Sequence, residues 1–106
     1  MITVQIVSQK DKLIGLVATG HAGSGPTGQD IVCAAFSALS IGIINGIHAL
    51  TNGKIQHEDD GEMFQAKINN PDNDTELLMK TFVMSIEAIQ QQYPKNLYIT
   101  RLNLKG

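Results

Sequence analysis

Residues 20–51 read GHAGSGPTGQDIVCAAFSALSIGIINGIHALT, and this stretch holds both a long helix signal and the one thiol of the chain. Gly20 to Gly28 contains four glycines and Pro26 with no periodicity, which predicts a mobile loop. From Gln29 or Asp30 to about Thr51 the chain is apolar and unbroken, which predicts a helix. Asn52-Gly53 follows as its stop, with glycine available for a left-handed cap. Ile31, Val32, Phe36, Leu39, Ile43, Ile44, Ile47 and Leu50 cannot share one helical face. Such a helix is either covered on both sides or packs its outer side on another subunit, so a homodimer is expected. Ile31 to Leu50 is nearly long enough to span a bilayer. Its Ser37, Ser40, Asn45, His48 and two glycines, and its lack of cationic flanks, predict a buried soluble helix instead.

Working outward, Met1 to Val7 alternates weakly and is β-branched, and Leu13 to Thr19 is more apolar. Joined by the polar turn at residues 9–12, they predict a hairpin. Ile55 to Glu58 and Glu62 to Ile68 flank Asp59-Asp60-Gly61, a second hairpin signal. Asp74 or Thr75 can cap a second helix, with Glu76 and Glu87 on its surface. Its Leu78, Phe82, Ile86, Ile89 and Tyr93 recur at helical spacing, and Pro94 ends it. Leu97 to Leu104 is a last strand. The expected fold is a small single α+β domain over residues 1–106. Its order is ββαββαβ, with a mixed or antiparallel sheet packed with two helices.

The chain has 106 residues and a formal net charge of −2, so nothing suggests attraction to nucleic acid or to a membrane surface. One cysteine makes no internal disulfide and no paired redox motif. One thiol and three histidines do not suggest a four-ligand zinc site, so no metal or cofactor is expected. The N-terminus lacks a basic region followed by an apolar run, and a cytoplasmic protein is expected. The glycine loop lacks the Lys-Ser/Thr ending of a phosphate-binding loop.

What remains is Cys33 and His21. A thiol becomes a strong nucleophile as thiolate, and an unperturbed one titrates near about pH 8.5. Placed in the first turn or so of a helix, Cys33 would meet backbone N–H groups that favour an anion and could hold an oxyanion. His21, brought close, could pair with the thiolate and protonate a leaving amine. Asp30 and Ser37 fall three residues before and four after Cys33, on neighbouring turns of one helical face. Asp30 could orient His21, cap the helix, or both, and Ser37 could hydrogen-bond within the site. Blander readings stand beside these. A lone cysteine in an apolar helix is often a small buried hydrophobe, and Asp30 is often a plain N-cap. His48 fits the helix C-terminus and His57 a strand surface, while Asp59 and Asp60 are turn residues.

GHAG, a glycine-containing loop and then GQDIVCAAFSALS resemble the ribosomal-processing cysteine proteases of the Prp family. The DDGEMF hairpin and the terminal YITRLNL strand extend the resemblance along the chain. It implies a cytoplasmic, homodimeric endopeptidase that acts without metal or cofactor. Its substrate would be the N-terminal extension of one bacterial large-subunit ribosomal protein, number twenty-seven, removed for ribosome assembly. It further implies that Cys33 is the nucleophile and His21 the base and acid, with Asp30 and Ser37 at matching supporting positions. Gly20, Ala22, Gly23, Ser24, Gly25, Pro26, Thr27 and Gly28 would form the loop that orders over substrate. Loops of this family often carry an aromatic residue, whereas this one reads Ser24-Gly25-Pro26-Thr27. The alternatives are a non-catalytic ribosome-assembly or binding module with a buried cysteine, or another thiol enzyme such as an acyltransferase.

Overall fold

The computed structural model describes residues 1–20, the backbone of residues 27–30, and residues 31–105. Alternation sets the layout of its first strand, β1 (Ile2–Gln9): Ile2, Val4 and Ile6 are buried, while Thr3, Gln5 and Val7 are half-buried. A tight turn follows, with Lys10 and Asp11 both at positive φ (54° and 63°), the geometry that suits a two-residue hairpin. The chain continues through β2 (Lys12–Thr19), α1 (Thr27–Leu50), β3 (Lys54–Asp59), β4 (Met63–Asn69), α2 (Asn73–Gln92) and β5 (Leu97–Leu104). The expected ββαββαβ order is therefore observed, and the sheet is mixed. Its order is β3-β4-β2-β1-β5, with β1 and β5 parallel and the other neighbours antiparallel.

Each helix joins two strands that run the same way: β2 to β3, and β4 to β5. The two crossovers travel in opposite directions across the sheet and start from oppositely directed strands. Right-handed connection therefore puts both helices on the same face. Between helices and sheet lies one core, in which Val4, Ile6, Leu16, Ala18, Phe36, Ile47, Met79 and Ile86 are all buried. Among the described residues, no helix or strand layer covers the other face of the sheet.

Local chemistry fixes the joints. In the β3–β4 turn, Gly61 (φ 90°) donates its N–H to Asp59 Oδ1 at 2.9 Å. Asp60 Oδ1 accepts from Met63 N–H at 2.7 Å. Asp60 is thus a turn residue, as expected, whereas Asp59 is the last residue of β3, paired with Phe64, and serves the turn through its side chain. The second helix is capped by Asp72, not by Asp74 or Thr75. Asp72 Oδ1 accepts the Thr75 N–H at 2.8 Å, and the Asp72 N–H donates to Thr75 Oγ1 at 2.9 Å. This reciprocal pair satisfies two backbone donors at once, which is why the helix starts earlier than its apolar periodicity suggests. Glu76 also departs from its expected surface role. It is half-buried, and its Oε1 accepts the Leu13 N–H of β2 at 2.8 Å, just past the register shift at Val7/Ser8. At the sheet's edge, Gln90 Oε1 accepts the Ile99 N–H at 2.8 Å.

Replacing Asp72 by Ala is expected to cost about 1 kcal/mol. That lowers the thermal midpoint by about 4 °C or more for a domain of this size. Thermal unfolding followed by circular dichroism checks it, and an unchanged midpoint would mean that the cap contributes nothing.

Candidate active site

Cys33 is the seventh residue of α1 and stands half-buried, packed against the edge of the core. It is not the fully buried small hydrophobe of the blander reading. The helix begins at Thr27, two to three residues earlier than its apolar run suggests, so Thr27 and Gly28 belong to the helix and not to a loop. Two expectations change with that boundary. Asp30 is the fourth helical residue and so is not the N-cap. Cys33 lies in the second turn, and the four backbone N–H groups that lack a partner inside a helix belong to residues 27–30. Anion-holding donors are therefore displaced upstream of the Cys33 backbone, by about 4.5 Å or more along the axis.

Ser37 follows Cys33 by one turn and is exposed, on the same side of the helix. His21 and residues 22–26 lie outside the described residues, as do the side chains of Thr27 and Asp30. Gly20, which leads into His21, is described. Its φ is +78°, and a Cβ there would collide with the Met1 carbonyl oxygen. The end of β2 is thus pressed against the start of β1, and only glycine fits that turn.

Sequence reading counted Phe36 only as part of the apolar run, yet it holds the turn after Cys33 in place. Its ring meets Phe64 of β4 and Phe82 of α2, each at 6.4 Å between centroids and at 86° and 62° between planes. The signal in the sequence was rarity: the chain has three phenylalanines and no tryptophan, so a large ring is a scarce core anchor.

The remaining histidines stay apart from this turn. His48 is exposed in the last turn of α1. His57 is exposed on β3 with its ring 6.4 Å from that of Phe64. Among the described residues, no three His, Cys, Asp or Glu side chains are grouped to hold a metal ion. A trough of about 700 Å³, lined by Val7, Gly15, Val17, Gln65, Lys67 and Leu104, opens on the uncovered face of the sheet, away from Cys33.

The described site is thus a half-buried thiol on the second turn of a helix, set on a small α+β scaffold. Residues 1–98 match the sequence model of a family described as cysteine protease Prp. A Staphylococcus aureus protein named ribosomal processing cysteine protease Prp is 37% identical over 109 residues, covering 99% of this chain and 100% of its own. A crystal structure of a Streptococcus mutans protein superposes with a TM-score of 0.90 at 30% identity, over 98% of this chain and 99% of that one. The S. aureus protease in complex with a substrate peptide gives 0.88 at 32% identity, over 96% of this chain and 100% of that one. The same protease with a covalently linked product peptide gives 0.84 at 30% identity, with the same coverage. The chain belongs to the Prp family of cysteine proteases, and it is a cysteine peptidase.

Gly20→Ala is expected to lower stability by more than about 1 kcal/mol, because it forces a side chain into a left-handed conformation and against backbone. Urea unfolding measures this, and an unchanged midpoint would mean that the strand end is not tied in this way.

Proposed function

We propose that this peptidase removes the N-terminal extension of a bacterial large-subunit ribosomal protein, number twenty-seven, before or during ribosome assembly. The placement of Cys33 carries the reading. Its thiol is held by the core on one side and accessible on the other, on the helix that residues 21–26 join to β2. Membership in the Prp family, and the S. aureus relative's name and peptide complexes, support a peptide substrate and a ribosomal one.

In the proposed reaction the Cys33 thiolate attacks the scissile carbonyl, and backbone N–H groups at the start of α1 hold the resulting oxyanion. His21 protonates the departing amine as the C–N bond breaks, leaving a thioester on Cys33. His21 then takes a proton from water as it attacks the thioester, which releases the carboxylate product and restores the thiol. Asp30 and Ser37 support the pair: Ser37 is exposed one turn from Cys33, and Asp30 lies one turn before it. The segment from Gly20 through Ala22, Gly23, Ser24, Gly25 and Pro26 to Thr27 and Gly28 is the substrate-contacting part, with Pro26 limiting its freedom. Residues 1–106 act as one protease domain in the cytoplasm, without cofactor, metal, nucleic acid or membrane.

The protein acts as a homodimer. Of the two alternatives for α1, packing of its outer side on another subunit is supported by Ile31 and Ile41, which are exposed while Val32, Phe36, Ile43 and Ile47 are buried. Sedimentation at micromolar concentration should give about 23 kDa, twice the chain mass of 11.5 kDa.

Incubation with the full-length ribosomal protein, followed by mass spectrometry, tests the activity. Wild type should remove the extension, Cys33→Ala should leave it intact, and His21→Ala should slow cleavage by about 10²-fold or more. Uncut substrate with wild type, or cleavage by Cys33→Ala, would overturn the assignment.

A further inference from the structure

We propose that the cleft between the start of β2 and the end of β4 binds a nucleoside polyphosphate, with its phosphates among Lys10, Lys12 and Lys67. The β2–β4 ladder ends at the pair Gly15 and Lys67, although β2 begins at Lys12 and β4 runs on to Asn69. At Gly15 the two strands are pressed together, since a Cβ there would collide with the Ala66 carbonyl oxygen. Beyond that point they part, and the Leu13 N–H turns to Glu76 Oε1 instead of to β4. The opening is a cleft of about 490 Å³, lined by Lys10, Lys12 and Lys67 together with Gln9, Asn69 and Asn70.

The charge of the cleft is unbalanced. No acidic residue lines it. Among the described residues, Lys10, Lys12 and Lys67 take part in no ion pair. The acids of the nearby helix end are engaged elsewhere: Asp72 caps α2, and Glu76 holds the Leu13 N–H and lies 3.9 Å from the Lys80 ammonium. Lysines often guard the edges of a sheet against pairing with another chain. In the order β3-β4-β2-β1-β5, β2 and β4 are interior strands, so that role does not explain these three. The net charge of −2 hides the cluster. Five of the eight Lys and Arg residues, Lys10, Lys12, Lys54, Lys67 and Lys105, sit at this end of the sheet, while Glu58, Asp59, Asp60 and Glu62 sit at the other.

Charge and shape select the ligand. Three ammoniums with amide donors and no guanidinium suit the multiply charged oxygens of phosphate better than the planar fork of a carboxylate. One phosphate would leave most of a 490 Å³ cleft empty, so two or three linked phosphates fit. A long polyanion would need a basic stripe, and the chain's excess of acid opposes it. Ile14 and Lys67 line both the cleft and the trough on the uncovered sheet face, so the two hollows join there. In the trough the missing side chain of Gly15 leaves an apolar floor of Val7, Val17 and Leu104 for a flat base, with Gln65 beside it. Cys33 lines neither hollow, and α1 enters beyond the end of β2, about 20 Å along the strand from the cleft. Peptide cleavage draws on none of these groups, so the cleft is a second binding site.

Titration of the full chain with ATP and with inorganic tripolyphosphate, followed by amide NMR and calorimetry, tests the site. ATP should shift the amides of Ile14, Val17, Asn69 and Asn70 and leave that of Cys33 in place. It should bind about 10-fold or more tighter than tripolyphosphate, which has no base to bury. Lys12→Glu and Lys67→Glu should each weaken ATP by about 10-fold or more, whereas Lys95→Glu, at the opposite end of the sheet, should not. Both lysines are exposed, so the variants should keep the wild-type circular dichroism. No binding at millimolar ATP, or binding that survives both substitutions, overturns the site. Equal binding of ATP and tripolyphosphate overturns the placement of the base. A single-stranded RNA oligonucleotide that shifts the same amides while ATP does not would replace the nucleotide with a strand.

Discussion

The ring of Phe36 between Phe64 and Phe82 is the contact on which the rest of the active-site end depends. It joins the three parts of the core, one ring each from α1, the sheet and α2. With few aromatics elsewhere, the core around it is built from Ile, Leu, Val and Ala, which fill space but define orientation less sharply. Edge-on ring packing fixes both the height and the rotation of α1 over the sheet. Because Phe36 lies one turn from Cys33, that same contact sets which way the thiol-bearing turn faces.

The strand order does the complementary work. Two crossovers of one hand, running in opposite directions, place α1 and α2 side by side on one face of the sheet. The side chains of α2 then finish the sheet. Glu76 holds the Leu13 N–H at the register shift, and Gln90 holds the Ile99 N–H on the outer strand. Both are polar residues that a periodicity reading assigns to solvent. Their partners lie 63 and nine residues away in the chain, so no local pattern reveals them. Among the described residues, the same layering leaves one side of α1 uncovered.

For the site, the reading of Cys33 depends on burial more than on spacing. Spacing put Asp30, Cys33 and Ser37 on one side of a helix, and the backbone agrees. The helix boundary did not follow from the apolar pattern. Thr27, Gly28 and Gln29 carry no apolar periodicity, so the pattern starts at Ile31 while the hydrogen-bonded helix starts at Thr27. That small offset moves Cys33 from the first turn to the second and places the N–H groups of the helix's first turn upstream of it.

By itself the sequence determined the order of elements, the two hairpins and the single thiol on a long apolar helix. These rest on local chemistry: period-two and helical patterning, glycine and aspartate in turns, and one cysteine in the whole chain. It also carried the His-loop-DIVCA stretch through which the family was recognised. Only the tertiary structure decided that β5 pairs parallel with β1, that Asp72 and not Asp74 caps α2, and that α1 buries one side alone. Each of these turns on which distant groups meet. Strand pairing, reciprocal capping and burial are properties of contacts across the chain, and a one-dimensional pattern fixes which side chains are apolar without fixing what covers them.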